Sequence, residues 1–252
     1  MLDAGDIIHS QLLAEQGIQA FFTTRTGDAS KAPYDSLNFG ADGKAEHVAA
    51  NIARLIACAG PTTPPHQARQ VHQCGSMWCV GSGGMHQTAA DILLTRCMDV
   101  PVAVRTADCL PVLLADPVAG MVAAVHAGWR GTTAGVVIAA INEMLRRGAH
   151  IEDLFASLGP CIGPCCFHIG EEAATALTNC VEGAAYYIQH HPLRADLAAI
   201  NHLQLRMSGI PEQHIERCRL CTMCDPQRFF SHRRDARRSG RQLAVVAIPS
   251  AT

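Results

Sequence analysis

Residues 100–131 read VPVAVRTADCLPVLLADPVAGMVAAVHAGWRG, and this stretch decides the fold class. It contains three short apolar runs, at 100–104, 110–114 and 121–125, rich in valine, leucine and alanine. Their lengths suit buried strands, and polar or glycine-containing segments separate them. The stretch therefore predicts three consecutive strands with polar side chains at their ends, where α/β folds usually place their chemistry.

The same alternation continues through the rest of the chain. Further strand-like runs lie at 21–24, 92–95 and 243–248, and segments with helical spacing lie at 45–57, 133–147, 171–177 and 196–207. The 133–147 segment ends in two arginines followed by Gly148, a common signal for the end of a helix. We expect a mixed α/β fold with layered sheets and flanking helices. Because no linker or repeat marks a boundary, we expect residues 1–252 to form a single domain.

The composition bears on compartment and partners. The chain is 48% hydrophobic and 17% charged, which argues against disorder, and its net charge of −2 creates no bulk attraction to nucleic acid or an anionic membrane. The segment 1–17 lacks the basic start of a signal peptide, and no apolar run approaches the roughly 18 residues of a spanning helix. We expect a cytoplasmic protein that binds neither nucleic acid nor membranes, and a chain of this size can be monomeric.

Cysteine and histidine are abundant, with 12 and 13 copies. Without an export signal, thiols and metal ligands are favoured over disulfides. His72, Cys109 and His126 would together form a set of two imidazoles and one thiolate, which suits Zn²⁺ with an open fourth position. Each residue taken alone also fits a structural role in the core, and only the fold can bring the three together.

Two further groups of cysteines stay unassigned at this stage. They are Cys161, Cys165 and Cys166 in one segment, and Cys218, Cys221 and Cys224, which form two CxxC spacings, in another. A CxxC pair can supply half of a structural zinc site, but a full site needs a second pair close in space. A redox dithiol is the other interpretation.

Arginines at predicted strand ends and turns are candidates for binding an anionic group. Arg25 follows the 21–24 run, Arg130 lies in the HAGWRG turn, and Arg233 lies in the basic segment 228–241. Guanidinium groups bind phosphate through paired hydrogen bonds, although each of these arginines also fits a solvated surface position. Asp108, next to Cys109, is a candidate for orienting a histidine or carrying a proton.

Four segments make the chain recognisable. TADCLPV at 106–112, VHAGWRG at 125–131, LGPCIG at 158–163 and FFSHRRD at 229–235 resemble the laccase-domain family, once called multicopper polyphenol oxidoreductases and now usually described as purine nucleoside phosphorylases. The match runs nearly end to end, from TTRTG at 23–27 and SLNFG at 36–40 to Gly240 and Arg241. The resemblance implies a single α/β domain and a zinc ion held by His72, Cys109 and His126. It also implies phosphorolysis of adenosine, inosine and methylthioadenosine, with some adenosine deamination.

The chain departs from the usual family pattern at several positions. Gln73 stands where glycine is common, His232 where tyrosine is common, and His168 and Ile169 replace a Glu-Val pair. None of these changes removes a ligand implied by the resemblance. Gln73 and His232 are the departures most relevant to substrate preference.

Other functions stay open at the level of sequence. Copper-dependent oxidation of phenols is implied by the older family name, although a multicopper enzyme needs many more histidines than one three-ligand site, and the chain has no His-x-His pair. A metal-free cysteine hydrolase would use Cys109 as nucleophile with His126 or His72 as base. A non-catalytic zinc-binding module and the editing of peptidoglycan precursors are further alternatives.

Overall fold

The computed structural model describes residues 7–27, 37–40 and 45–250. Residues 1–6 of the acidic N-terminal segment and Ser36 of the SLNFG motif lie outside the described residues. Within the described part of the chain, no helix is both long enough and apolar enough to cross a membrane.

Strands and helices alternate along the described residues. The strands are β1 (Ile7–His9), β2 (Gln19–Thr23), β3 (Gln67–Arg69), β4 (Ser76–Trp78), β5 (Met85–Ala89), β6 (Ile92–Thr95), β7 (Val102–Thr106), β8 (Leu110–Asp116), β9 (Met121–Ala127), β10 (Phe155–Leu158), β11 (Ile188–His190), β12 (Leu193–Ala195), β13 (Ile215–Arg217) and β14 (Gln242–Ala247). The helices are α1 (Gln11–Glu15), α2 (Ala45–Ala59), α3 (Trp129–Thr133), α4 (Val136–Arg146), α5 (Glu171–Thr178), α6 (Leu197–Met207) and α7 (His232–Asp235). Short 3₁₀ turns occupy Ile151–Asp153, Ala184–Tyr187, Glu212–His214 and Ala236–Arg238.

The six strand-like runs of the sequence correspond to β2, β6, β7, β8, β9 and β14. Most boundaries shift by one or two residues, and two differences from the prediction have a clear physical cause. β7 begins two residues later than the 100–104 run, after Pro101, which has no N–H to donate to a strand pair. The 133–147 segment becomes the end of α3 and the separate helix α4, because Gly135 between them adopts a left-handed conformation with φ 77°.

Two sheets pack face to face between helices, which confirms the mixed α/β fold. The smaller sheet has the order β1-β2-β14-β7, and the larger has the order β13-β10-β8-β9-β6-β4. Helices α4, α5 and α6 cover the outer face of the larger sheet, and α2 covers the smaller one. Two additional two-stranded sheets, β11-β12 and β3-β5, complete the pairing among the described residues.

Strict alternation of side chains generates these layers, as strand geometry requires. In β8, Val112 and Leu114 pack towards the helices, whereas Leu113 packs between the sheets. In β2, Phe22 packs between the sheets, whereas Phe21 packs with the cluster under α2. Each such buried side chain contributes about 1.5–3 kcal/mol to folding.

One crossing between the sheets positions the chemistry predicted from the sequence. β7 belongs to the smaller sheet and β8 to the larger, so residues 107–109 pass from one sheet to the other. β9 runs antiparallel to β8, with His126 opposite Pro111. The ends of β7 and β9 and the start of β8 therefore meet at one edge of the two-sheet stack.

Candidate metal centre

Three of the predicted residues converge at this edge. His72 comes from the loop between β3 and β4, Cys109 from the crossing segment, and His126 from β9. One nitrogen or sulfur atom from each lies within 4.8 Å of the others, and Cys109 Sγ is 3.8 Å from His72 Nε2. The two imidazole rings stand at 75° with their centroids 4.8 Å apart. The fold thus gathers two nitrogens and one sulfur around a common point.

Asp91, immediately before β6, organises this cluster. Its carboxylate is fully buried and accepts backbone hydrogen bonds from Val71, His72 and Gln73, each at 3.0 Å. It also accepts a 2.7 Å bond from His126 Nδ1, which leaves Nε2 of that ring for a ligand. Burial alone would raise the pKa of Asp91, but these bonds outweigh it and lower the pKa. The three backbone bonds also hold His72 at φ 60°, an uncommon conformation for a residue other than glycine.

Cys109 and His126 shift each other's pKa. Burial by itself would raise the pKa of the Cys109 thiol, but His126 and His72 lower that pKa to about 6. Burial would likewise lower the pKa of His126, yet Cys109 and Asp91 raise it to about 9. At neutral pH the pair is therefore a thiolate facing an imidazolium, and a bound cation would take the place of the imidazolium proton.

Gly128 allows the end of β9 to approach the cluster. A Cβ atom at this position would lie 2.7 Å from His72 Cδ2 and 3.1 Å from Cys109 Sγ. Both distances are below ordinary van der Waals contact, so any side chain would displace one of these residues. This close approach gives a physical reason for the glycine after His-Ala in the VHAGWRG segment.

A cleft of about 520 Å³ opens beside the three residues. Asp108, Arg130 and Arg233, which the sequence singles out, all line it. The Arg130 guanidinium lies over the Trp129 ring at 4.2 Å, and the Arg233 guanidinium lies 5.6 Å from the centre of the Phe167 ring. Aromatic surfaces thus support two cations at the wall of the cleft.

Arg25 is not among the residues that line this cleft. It lines a second cavity, of about 370 Å³, together with Phe230, Arg234, Asp235 and Arg238. Its guanidinium lies over the Phe230 ring at 4.6 Å. Arg25 follows β2, a strand of the smaller sheet.

Asp91 rather than Asp108 bonds to His126 Nδ1 and to the backbone N–H of His72, and a proton-carrying role for Asp108 stays a prediction. The Asp108 carboxylate accepts hydrogen bonds from Thr222 Oγ1 at 2.7 Å, Ser231 Oγ at 3.0 Å and the backbone N–H of Arg233 at 2.6 Å. Asp108 itself has φ 88°. These contacts connect Asp108, the neighbour of Cys109 in the crossing segment, to the later segment that carries Arg233.

Several residues at the site were missed by the sequence analysis. The signal for Asp91 was an acid between two alanines and the apolar run 92–95, which predicts a buried carboxylate in need of partners. Arg105 near the end of β7 and Arg241 immediately before β14 also line the cleft. Of the two departures most relevant to substrate preference, His232 lines the cleft, whereas Gln73 contributes a backbone N–H to Asp91.

Comparison with known proteins adds independent information. A family model described as multi-copper polyphenol oxidoreductase laccase matches residues 19–249. The human protein named purine nucleoside phosphorylase LACC1 is 33% identical over 252 residues, covering 96% of this chain and 58% of that relative. The chain thus spans somewhat more than half the length of LACC1.

Two prokaryotic relatives are also similar. Purine nucleoside phosphorylase YlmD of Geobacillus stearothermophilus is 31% identical over 255 residues, covering 91% of this chain and 90% of YlmD. A crystal structure of YlmD matches with a TM-score of 0.89 at 28% identity, over 99% of this chain and 98% of the other. Adenosine deaminase RL5, from an unknown prokaryotic organism, is 36% identical over 160 residues, or 62% of this chain and 61% of RL5.

Proposed function

The chain belongs to the multi-copper polyphenol oxidoreductase laccase family. For this member of the family we propose a zinc-dependent purine nucleoside phosphorylase activity. Its proposed substrates are adenosine, inosine and methylthioadenosine with phosphate, and adenosine deamination is the proposed side activity. The observation that carries the proposal is the convergence of His72, Cys109 and His126 beside a cleft lined by arginines. The names of LACC1, YlmD and RL5 support the substrate class.

The donor set fits zinc. Zinc binds imidazole nitrogen at about 2.0–2.1 Å and thiolate sulfur at about 2.3 Å, so sulfur and nitrogen ligands of one tetrahedral ion lie about 3.5 Å apart. The 3.8 Å between Cys109 Sγ and His72 Nε2 is close to that spacing. The bond from Asp91 to His126 Nδ1 supplies the outer support that metal-bound histidines usually have. His72, Cys109 and His126 are therefore the proposed ligands.

Asp91 and Asp108 are the proposed positioning residues around the zinc ion. When bound, zinc supplies a Lewis acid that stabilises developing negative charge on oxygen and increases the acidity of water. Three protein ligands leave one position for substrate or water. Asp91 keeps the Nδ1 proton on His126, and Asp108 positions Arg233 through its backbone N–H.

Phosphorolysis also requires that phosphate be held against the sugar. A phosphate oxygen forms a bond to ribose C1′ while the bond between C1′ and the purine nitrogen breaks, and the purine leaves with the electron pair and takes up a proton. Arg130 and Arg233 are the proposed phosphate-binding residues, because guanidinium groups at the cleft offset the charge of phosphate. Arg25 is not part of this proposal.

Removing one of these arginines is expected to weaken phosphate binding selectively. Arg130→Ala and Arg233→Ala should each raise the KM for phosphate about tenfold, the loss of one charge-assisted hydrogen bond of about 1.5 kcal/mol. Steady-state kinetics at varied phosphate measures this, and Arg25→Ala serves as the control because Arg25 lines the other cavity. An unchanged KM in both variants, or an equal rise in the control, would contradict the assignment.

Adding one methyl group at Gly128 is expected to lower zinc affinity about 10- to 100-fold, because it displaces His72 or Cys109. Competition with a chelating dye compares the zinc affinity of Gly128→Ala with that of wild type. Gly131→Ala is the matched control, since a Cβ there meets its nearest atom, in Val136, at 3.4 Å. Equal zinc affinity in the two variants would show that the approach of Gly128 does not matter.

The direct test is to incubate protein of measured zinc content with adenosine, with and without phosphate, and to separate the products by chromatography. Phosphate-dependent release of adenine, abolished by chelation, is the expected result. Inosine formed without phosphate would reveal hydrolytic deamination. If zinc-loaded protein forms neither product, the purine proposal fails, and peptidoglycan precursors become the next substrates to test.

The thiolate facing an imidazolium favours a second candidate, a metal-free cysteine hydrolase with Cys109 as nucleophile and His126 or His72 as the base that takes the thiol proton. That enzyme would keep its activity after chelation, whereas the zinc enzyme would lose it. Copper is the alternative metal, because two histidines and one cysteine are also the ligands of blue-copper sites. A copper titration that produces an intense visible thiolate band together with phenol oxidation would support it.

A further inference from the structure

A second cluster of thiols lies apart from the candidate metal centre. The sulfur atoms of Cys165, Cys166, Cys221 and Cys224 all lie within 4.8 Å of one another. Cys224 Sγ is 3.5 Å from Cys165 Sγ and 3.3 Å from Cys166 Sγ. None of these four residues lines the cleft beside Cys109. The proposed nucleoside chemistry in that cleft therefore does not account for these four thiols.

The parallel pair β10–β13 brings the two loops together. Beyond the strands, Cys218 N–H donates to the Leu158 carbonyl at 2.8 Å, and Thr222 N–H donates to the Cys161 carbonyl at 3.0 Å. The first loop then turns back at Gly163, whose carbonyl accepts bonds from Cys166 and Phe167. Ordinary backbone pairing thus places two cysteines of one loop against two of the other.

The sulfur spacing matches a metal ion better than disulfide bonds. Four thiolates around one tetrahedral zinc, each at about 2.3 Å, are about 3.8 Å from one another. The distances of 3.3 and 3.5 Å and the upper limit of 4.8 Å bracket that value. A disulfide needs about 2.05 Å, and Cys224 could bond only one of its two near neighbours.

One backbone donor beside the cluster suits a thiolate at Cys221. Gly163 N–H donates to Cys221 Sγ at 3.2 Å, a bond that favours the charged form of sulfur. A Cβ at Gly163 would lie 3.3 Å from Cys165 Sγ, so a side chain there would crowd the cluster. Arg194 donates to the Cys165 carbonyl at 3.1 Å, and Arg234 donates to the Thr222 carbonyl at 3.2 Å. These side-chain bonds fix the backbone of the two loops that carry the four cysteines.

We propose that Cys165, Cys166, Cys221 and Cys224 bind a second zinc ion in a closed, structural site. Four protein ligands leave no position for substrate, as in structural rather than catalytic zinc centres. The first loop carries Ile162 and Phe167, which line the cleft, and Thr222 of the second loop bonds to Asp108. The ion thus joins two loops that form and support the wall of the candidate active site.

Metal content tests this proposal without reference to activity. Wild-type protein purified with zinc is expected to contain two zinc ions per chain by mass spectrometry, and Cys224→Ser is expected to contain one. Cys58→Ser is the matched control, because Cys58 is exposed on α2 outside both clusters and should leave two. One zinc in wild type, unchanged by Cys224→Ser, would overturn the proposal.

Two measurements on wild type keep the test independent of the folding of a variant. Reconstitution with Co²⁺ is expected to give the intense visible and near-ultraviolet bands of a tetrahedral ion with four thiolates, in addition to a weaker single-thiolate contribution. Thiol counting and intact mass on denatured, metal-free protein are expected to find all 12 cysteines reduced. A mass lower by two hydrogens, with two fewer thiols at these positions, would instead show a disulfide and refute the metal site.

Discussion

Cys109→Ser is expected to lose the zinc of the candidate active site and most nucleoside turnover. The cause is that the neighbouring histidines lower the pKa of Cys109 to about 6, so the native side chain is a thiolate at neutral pH. A serine hydroxyl stays neutral there and is a far poorer ligand for zinc. We expect zinc affinity at this site to fall at least about 100-fold, beyond the usual effect of removing an outer hydrogen-bond partner.

Metal content and activity should be measured on the same preparation. Because Cys109→Ser leaves the structural site intact, its zinc content should be one ion per chain instead of two. The double variant Cys109→Ser with Cys224→Ser should contain no zinc. Cys58→Ser again serves as the control. A Cys109→Ser protein that keeps full zinc and full turnover would rule out the proposed ligands, and wild-type activity that survives chelation would favour the cysteine hydrolase.

Asp91→Asn is expected to have the second large effect, a loss of about 3–5 kcal/mol in the free energy of unfolding. The carboxylate accepts four hydrogen bonds in a fully buried position, whereas an amide has a single acceptor oxygen and would direct its N–H₂ at one of the donors. Urea unfolding of metal-free protein, followed by circular dichroism, measures the change. Zinc affinity should also fall about 10- to 100-fold, because His126 loses the partner that orients it.

Asp116→Asn is the control that separates the loss of stability expected for Asp91→Asn from its loss of zinc affinity. Asp116 is equally buried and accepts bonds from Ala119 and His150 at the other end of β8. Its replacement should destabilise the fold while leaving zinc affinity unchanged. If both variants lower zinc affinity equally, Asp91 has no special role in holding the histidines.

The stabilisation from Asp91 should depend on pH in a defined direction. Its pKa is lowered in the folded protein, so the folded state favours the charged carboxylate. That stabilisation is complete above the unfolded pKa of about 3.9 and is lost as the pH falls through the folded value. The difference in unfolding free energy between wild type and Asp91→Asn, measured without metal, should therefore shrink as the pH falls below 4. A difference that persists undiminished at lower pH would contradict this origin.

The chemistry of the cleft depends on local charge that the whole-chain composition does not reveal. The net charge is −2, yet Arg105, Arg130, Arg233 and Arg241 all line one cleft. A cleft lined by several cations concentrates an anion more strongly than the average surface does. The near-neutral composition is thus compatible with the proposed use of phosphate.

The sequence alone determined the parts of this protein that depend on local pattern. The apolar runs around 100–125 predicted the central strands because a buried strand needs only a few consecutive apolar residues. The residue types in His72, Cys109 and His126 were also sufficient to suggest a zinc site, because ligand chemistry is a property of the side chain itself. The family resemblance made the same assignment.

Only the tertiary structure decided which distant residues act together. It assigned the orientation of His126 to Asp91 rather than Asp108, placed Arg25 in another cavity, and joined two separate cysteine segments into one cluster. Each result depends on distances between residues far apart in the chain, set by the crossing of 107–109 between the sheets and by the β10–β13 pair. Local periodicity specifies which face of a strand is buried, but it contains no information about which other strand end will lie beside it.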